Sequence, residues 1–219
     1  MNSTLEKLDK IRERDKDVNI ASHILSSILI AFMGVIVGAV ALTVIHFAEN
    51  STVWWMDVFK DVGIDQIFKH FPFWFMMGLG VAVNSSRPIK AAINDFVFFV
   101  GVIVGYTIVP IVLKGAAKPD NMGTWIIIAI VSAPLAMIFW YSKSKSWPSI
   151  AFDAVILGIL GAVLFDCGFV YFHFNDLIMD LYNAIFVALI AVVLASGVVQ
   201  FVVSLAGGVL IALILGPIL

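Results

Sequence analysis

Six long runs of apolar residues constrain the fold of this chain more than any other feature of its sequence. They cover approximately residues 24–47, 67–83, 91–113, 124–141, 150–172 and the region from 184 onward. A helix needs about 20 apolar residues to cross the roughly 30 Å hydrocarbon core of a bilayer. Transmembrane β-barrels show strands of alternating polarity instead, so they are excluded. The runs predict an all-α integral membrane protein with six transmembrane helices.

The composition excludes the main classes of soluble protein. Hydrophobic residues make up 62% of the 219 residues and charged residues only 13%, whereas soluble domains carry about 25% charged residues. The net charge of -2 provides no long-range field to attract a nucleic acid. The lipid bilayer is therefore the first predicted partner, and we expect no nucleic-acid partner.

The distribution of lysine and arginine predicts the orientation of the chain, because these residues accumulate in cytoplasmic loops. With the N-terminus inside, only four of them face outward, namely Lys60, Lys69, Lys114 and Lys118. Nine face the cytoplasm, namely Lys7, Lys10, Arg12, Arg14, Lys16, Arg87, Lys90, Lys143 and Lys145. An even number of spans then places both termini in the cytoplasm, and we expect a bacterial cytoplasmic membrane.

Two segments outside the spans show helical patterns. Residues 1–22 form a charged cytoplasmic arm, predicted to contain a short helix, which serves either as an orientation signal or as a docking site for a partner. The transmembrane domain then covers residues 23–219. Within it, residues 52–66 have an amphipathic pattern with Trp54 and Trp55 on the apolar face. This segment lies either in the outer membrane interface or over an external binding site as a lid.

Short internal similarities indicate a repeated architecture. The sequence Ser86–Ala91 is followed by Asp95, and the similar Ser146–Ala151 is followed by Asp153. The segment from Gly34 to Gly38 recurs as the segment from Gly101 to Gly105. These matches favour three helical hairpins with the odd-numbered helices facing one another, as in transporters built from repeats. The four glycines are predicted to be helix-packing positions, because small residues four apart let helices approach closely.

Polar residues near the cytoplasmic ends of three spans are candidates for solute contact. Asp95 and Asp153 lie about 6 Å inside the boundary, given a rise of about 1.5 Å per residue, and Asn94 and Gln200 reach a similar depth. These four residues are predicted to form one inner polar layer. The alternative is that the two aspartates cap the N-termini of their helices, where the helix dipole favours negative charge.

A second set of polar residues is predicted nearer the outer surface. Asp166 falls within the fifth apolar run and Tyr106 within the third, both in the outer third of the membrane. Together with Cys167 or His46 they would form an outer cluster that contacts solute. The alternative is a structural hydrogen bond from Asp166 to a neighbouring helix.

The C-terminal region is too long for a single span. No charged residue occurs from 184 to 219, and one helix of that length would extend about 54 Å. Ser204–Gly208 is the predicted break, because it contains two adjacent glycines. The residues after it would form a re-entrant or extended half-helix, or an apolar surface that a partner covers.

The functional prediction is a protein that binds or transports a small solute without its own ATPase. The sequence contains no phosphate-binding loop, zinc-protease motif or nucleophile elbow, so we expect no enzymatic activity, no metal and no cofactor. In size, helix count and inside termini the chain resembles the substrate-binding subunit of energy-coupling-factor vitamin importers. The resemblance covers the general plan only, and it implies an external site beneath the first loop and cytoplasmic ATPase partners.

The alternative prediction is a membrane protein that does not transport, such as a scaffold, an immunity factor or a regulatory subunit. The charged arm and the apolar C-terminus would then contact a membrane protein, a cytoplasmic protein or a second copy of the chain.

Overall fold

A computed structural model describes residues 11–13, 19–50, 54–113, 122–173 and 176–218. The described chain is almost entirely helical and contains six helices long and apolar enough to cross a membrane. This confirms the predicted class, an all-α membrane protein with six spans. The elements are α1 (Ile20–Asn50), α2 (Trp54–Asp61), α3 (Ile64–Lys69), α4 (Phe71–Val83), α5 (Pro88–Val112), α6 (Met122–Phe139), α7 (Trp147–Leu164), β1 (Asp166–Cys167), β2 (Phe172–His173), α8 (Leu177–Leu194) and α9 (Val198–Leu215).

The six long helices are α1 and α5 to α9, which differ from the predicted set in two places. The predicted second span is the short helix α4, of 13 residues, because the extended residue His70 separates it from α3. The predicted sixth span is two helices, α8 and α9. The break lies at 195–197, where Ala195 and Gly197 have extended backbones. The prediction of a break at Ser204–Gly208 and a half-helix after it is therefore wrong.

The described chain divides into two compact units. The arrangement as three hairpins stays a prediction. The first unit, residues 15–138, contains α1 to α5 and nearly all of α6. Its most extensive contact joins α1 to α5. The two helices run parallel, since Ser27 bonds to Asn94 near their starts and Gly38 lies against Val102 further along. Helix α4 runs antiparallel to α5, with Trp74 next to Tyr106 and Gly78 next to Asp95.

Four glycines make the contact between α1 and α5 possible. A Cβ atom added to Gly34 or Gly38 would collide with the backbone of Phe98 or Val102. One added to Gly101 or Gly105 would collide with the backbone of Ala31 or Val35. Each of these glycines therefore lets two helix backbones touch directly, which is how helices associate where lipid removes the hydrophobic driving force.

The second unit comprises residues 139–219 together with the described residues 11–13 of the arm. Its main contact joins α7 to α9, which run parallel. Gly208 lies against Leu157 and Gly158, so the pair of glycines predicted to break the helix instead packs it. Helix α8 connects the two and runs antiparallel, because its first half bonds to Leu164 at the end of α7.

Arg12 and Gly216 lie near opposite ends of α7. Arg12 donates a hydrogen bond to the carbonyl of Trp140, in the turn before α7 begins. Gly216 lies against Cys167, beyond the end of α7. That both termini face the cytoplasm stays a prediction.

Candidate functional site

The most completely buried polar cluster of the second unit joins α7 to α9. The Gln200 amide nitrogen donates to Asp153 Oδ2 at 2.6 Å and to the Ser142 carbonyl at 3.3 Å. The Gln200 amide oxygen accepts from the backbone and hydroxyl of Ser196, at 3.1 and 2.5 Å. Asp153 is 0% exposed and Gln200 4% exposed. We call these four residues the Asp153 cluster.

Two oxygens of the Asp153 cluster have no hydrogen-bond partner. They are Asp153 Oδ1 and the hydroxyl oxygen of Ser142, and both are buried. The Ser142 hydroxyl lies next to the Asp153 carboxyl, where a small rotation lets it donate a hydrogen bond to Oδ1. The carboxyl is thus buried among neutral hydrogen-bonding groups, with no positive charge from them to balance its own.

The local sequence explains how Asp153 reaches this position. Pro148 lies in the first turn of α7, where its missing N–H costs nothing. The N-cap residue is Ser146, and no side chain caps the helix. Helix α5 has the same arrangement, with Arg87 as N-cap and Pro88 in the first turn. The alternative in which Asp95 and Asp153 cap these helices is therefore wrong, since both lie more than one turn inside.

Asp95 is the corresponding buried carboxyl of the first unit. It is 2% exposed, and the Ser132 hydroxyl of α6 lies next to it. Its Oδ1 has no hydrogen-bond partner and faces Gly78 of α4. Ser132 lies two residues before Pro134, whose ring removes one backbone donor from α6. Three helices of the unit thus meet at this carboxyl.

Asn94 has a structural role that the sequence did not reveal. Its amide accepts from the Ser27 hydroxyl at 2.8 Å and donates to the Ser85 hydroxyl at 2.9 Å. Lys90 donates to Ser27 and to the His23 carbonyl. These bonds tie the start of α5 to α1 and to the turn after α4. Asn94 therefore has both ends of its amide paired within the protein.

The predicted inner layer is divided between the units. Asp153 and Gln200 are in direct contact in the second unit. Asn94 and Asp95 are neighbours on α5 in the first unit. Whether the four residues act together stays a prediction.

The outer candidates also fall in different units and different environments. Tyr106 is 3% exposed and packs edge-on against Trp74 and Trp125. Asp166 does not lie in a helix, because α7 ends at Leu164 and a two-stranded hairpin follows. Its side chain is 49% exposed and lies 3.7 Å from His173. The placement of Asp166 within a transmembrane helix is therefore wrong.

Cys167 and His46 differ in their surroundings. The buried thiol of Cys167 points toward the Ala212 carbonyl, and burial raises its pKa. His46 lies in α1 of the first unit, where its ring contacts Phe47. The sequence reasoning grouped both with Asp166, and Cys167 follows Asp166 directly in the hairpin.

The loop predicted to be amphipathic forms the two short helices α2 and α3. Trp54 is 76% exposed at the start of α2, and the side chain of Trp55 lies outside the described residues. Lys69 at the end of α3 pairs with Glu49 at 2.8 Å and with Asp65 at 3.0 Å. Partial burial lowers the pKa of Lys69, but its hydrogen bonds to Glu49 and Asp65 outweigh this effect and raise the pKa overall.

The described part of the charged arm contacts the turn before α7. The Arg12 guanidinium lies 4.3 Å from the centre of the Trp140 ring and donates to the Trp140 carbonyl. Burial lowers the pKa of Arg12. The Ser144 hydroxyl donates to the Ile11 carbonyl. Most of the arm, which is predicted to contain a short helix, lies outside the described residues.

Sequence reasoning missed several residues that contact the candidates. They include the serines Ser27, Ser85, Ser132, Ser142 and Ser196 and the tryptophans Trp74 and Trp125. Hydroxyls and indoles carry no charge and are common near the ends of spans, so the sequence gives no reason to select them. Their contacts with the candidate residues become visible only in the folded structure. Among the described residues, no group of three or more histidine, cysteine, aspartate or glutamate side chains has the arrangement of a metal site.

Comparison with known proteins does not assign the chain to a family. No family model, no curated protein and no solved structure matches it. The resemblance in plan to the energy-coupling-factor subunits therefore gains no support from these comparisons. The functional argument depends on the chemistry of the two buried carboxyls.

Proposed function

We propose that this polytopic membrane protein transports a small solute across a bacterial cytoplasmic membrane without its own ATPase. The observation that carries the proposal is the pair of buried carboxyls, Asp95 and Asp153, each within a long apolar helix. Inserting an aspartate at mid-membrane costs about 2.5–3.5 kcal/mol. Such residues mark solute and ion pathways by default.

The free atoms of the two carboxyls define the solute class. Asp95 Oδ1 and Asp153 Oδ1 are buried acceptors, each with only neutral donors next to its carboxyl. Among the described residues, the partners of each carboxyl are neutral, namely Ser132 for Asp95 and Gln200 with Ser142 for Asp153. A solute with a positive charge or several N–H donors supplies what these acceptors lack. Small amines and amino-group-bearing metabolites fit this description.

The test is a transport measurement with named probes. Purified protein in proteoliposomes is adsorbed to a solid-supported membrane and exposed to putrescine, lysine, tetramethylammonium or Na⁺. We expect at least one probe to give a saturating current that falls at least tenfold in Asp95→Asn. The matched control is Asp61→Asn, which changes an exposed aspartate of α2.

The variants must be folded for the comparison to count. Asparagine has nearly the same shape as aspartate, and elution from size-exclusion chromatography reports folding. Currents that are absent for every probe with folded wild-type protein would contradict transport of this solute class. That outcome would favour the alternative, a scaffold or regulatory subunit that acts through a protein partner.

A further inference from the structure

We propose that the Asp153 carboxyl is a proton-binding site, at which a proton is taken up and released as the protein works. The inference deepens the proposed function, because it assigns to one of the two carboxyls the coupling of transport to a proton gradient. Binding forms one O–H bond at Asp153 Oδ1 and neutralises the carboxylate. Release to water breaks that bond and restores the charge.

The burial of the Asp153 carboxyl among neutral groups carries the argument. Asp153 is 0% exposed, and its described partners, Gln200 and Ser142, carry no charge. An isolated buried carboxylate is costly, so the group binds a proton and becomes neutral. The Ser142 hydroxyl beside Oδ1 can donate to the ionised carboxyl and accept from the protonated one, so it serves both states.

The other polar atoms of the Asp153 cluster form hydrogen bonds that fix the orientation of the carboxyl. Oδ2 accepts from Gln200, whose amide oxygen is held in turn by Ser196. Gln200 also bonds to the Ser142 carbonyl, which fixes the residue on the other side of the carboxyl. The carboxyl is thus oriented by neutral groups that stay in place whether or not Oδ1 carries a proton.

A metal ion fits this site less well than a proton does. Hard cations such as Mg²⁺ and Ca²⁺ take about six or more oxygen ligands. Within the Asp153 cluster only Asp153 Oδ1 and the Ser142 hydroxyl oxygen lack a hydrogen bond. The other oxygens accept hydrogen bonds from Gln200 or Ser196. Two free oxygens are enough to bind and hydrogen-bond one proton, but they leave most of the coordination positions of a metal ion without a ligand.

No positively charged side chain of α7, α8 or α9 is available to neutralise the Asp153 carboxylate in place of a proton. Helix α7 has no other charged residue, and α9 has no titratable residue. Helix α8 has Asp180 and Tyr182, near the end that contacts Leu164. The turn before α7 has Tyr141, Lys143 and Lys145, and the arm beside it has Arg12 and Glu13. Among the described residues, the groups that interact with the Asp153 carboxyl are Gln200 and Ser142.

Infrared difference spectroscopy tests the proton site without any solute. Spectra of the purified full chain in lipid nanodiscs are compared at high and low pH, in H₂O and in D₂O. We expect the carbonyl band of a protonated carboxyl to appear on acidification and to shift in D₂O. Asp153→Asn should abolish this band. Asp95→Asn should leave the same band unchanged, which assigns it to the second unit.

A second variant separates the role of the proton from that of folding. Gln200→Leu removes the donor to Oδ2 and should keep the Asp153 band but move its frequency, because the carbonyl loses a hydrogen bond. Identical difference spectra for wild type and Asp153→Asn, with both proteins folded, would overturn the proposal. An Asp153 band that does not respond to the loss of Gln200 would also contradict the geometry described here.

The spectra and the transport assay fail independently. If the infrared band of Asp153 titrates but no probe gives a current, the proton site is supported and the proposed solute class is rejected. Currents from putrescine or lysine together with no Asp153 band keep transport and reject the proton site. If both hold, an imposed pH gradient should increase the current of the wild type and have no effect on Asp153→Asn.

Discussion

At the scale of single residues, the two aspartates on α5 and α7 show what a sequence can locate. Their depth follows from the helix rise, but the sequence left open whether they cap their helices or lie buried in the protein. Their partners were not predictable, since Ser132 and Gln200 are distant in sequence from Asp95 and Asp153. Asp166 shows the opposite case. Residues 165–171 contain three aromatic side chains and one glycine, which favour strands and turns, and the hairpin there removes Asp166 from the helix.

The ion pairs of Lys69 give a prediction at this scale. The pKa of Lys69 is raised in the folded protein, so its pairs stabilise fully at pH values below the ordinary lysine pKa and are lost as pH rises through the raised value. Lys69→Met should therefore lower stability by roughly 1 kcal/mol at neutral pH, a small effect because solvent screens the half-exposed pair with Glu49. Thermal unfolding across a pH series measures it.

The control for this prediction is Lys60→Met, which removes an exposed lysine of α2. The difference between wild type and Lys69→Met should vanish at strongly alkaline pH, where Lys69 is neutral in both states. A difference that stays constant into that range would show that the lysine stem, and not the charge, stabilises the loop.

At the scale of elements, glycine positions decide which helices touch. The recurrence of glycines on the first and third spans was visible in the sequence, and α1 and α5 meet at those residues. The glycines Gly207 and Gly208 were interpreted as a helix break, yet they face α7 from inside α9. Sequence spacing cannot separate these two uses of glycine, because the deciding factor is a neighbouring backbone.

A pair of glycine substitutions tests the packing. Gly38→Ala places a methyl group 2.5 Å from the Val102 carbonyl oxygen. The backbone of α5 cannot move away without a substantial cost in free energy. We expect a loss of about 1–3 kcal/mol of stability, the usual effect of overpacking. Gly80→Ala meets nothing within 4 Å and should be neutral or slightly stabilising. Thermal unfolding in detergent compares the two, and equal stability would contradict the described contact of α1 with α5.

At the scale of the whole molecule, the number of helices determines where the chain ends. The Lys143 and Lys145 turn lies at the same end of α7 as Arg12, in agreement with a cytoplasmic start of this helix. The hairpin and the C-terminus lie at the other end. The break after α8 adds one helix to the predicted second half. We predict that the short helix α4 also crosses the membrane, which places the C-terminus on the side opposite Arg12.

Reporter fusions test this topology. Alkaline phosphatase, active only outside the cytoplasmic membrane, should be active when fused after Pro217 and inactive when inserted at Ser144. Green fluorescent protein, fluorescent only inside, should give the opposite pattern. Equal signals at the two positions would contradict the parallel arrangement of α7 and α9. An insertion at Val170 in the hairpin serves as the control, because it should report the same side as Pro217.

The sequence by itself determined the class of this protein, its membrane solvent and the depth of two carboxyls along their helices. These follow from composition and local periodicity, because a helix in lipid satisfies its own backbone and needs only an apolar surface. Tertiary structure decided where the last span divides, that Asp166 leaves the helix, and that Asp153 meets Gln200 beside Ser142. Those outcomes depend on contacts between distant segments, and apolar helices carry too little local pattern to specify their neighbours.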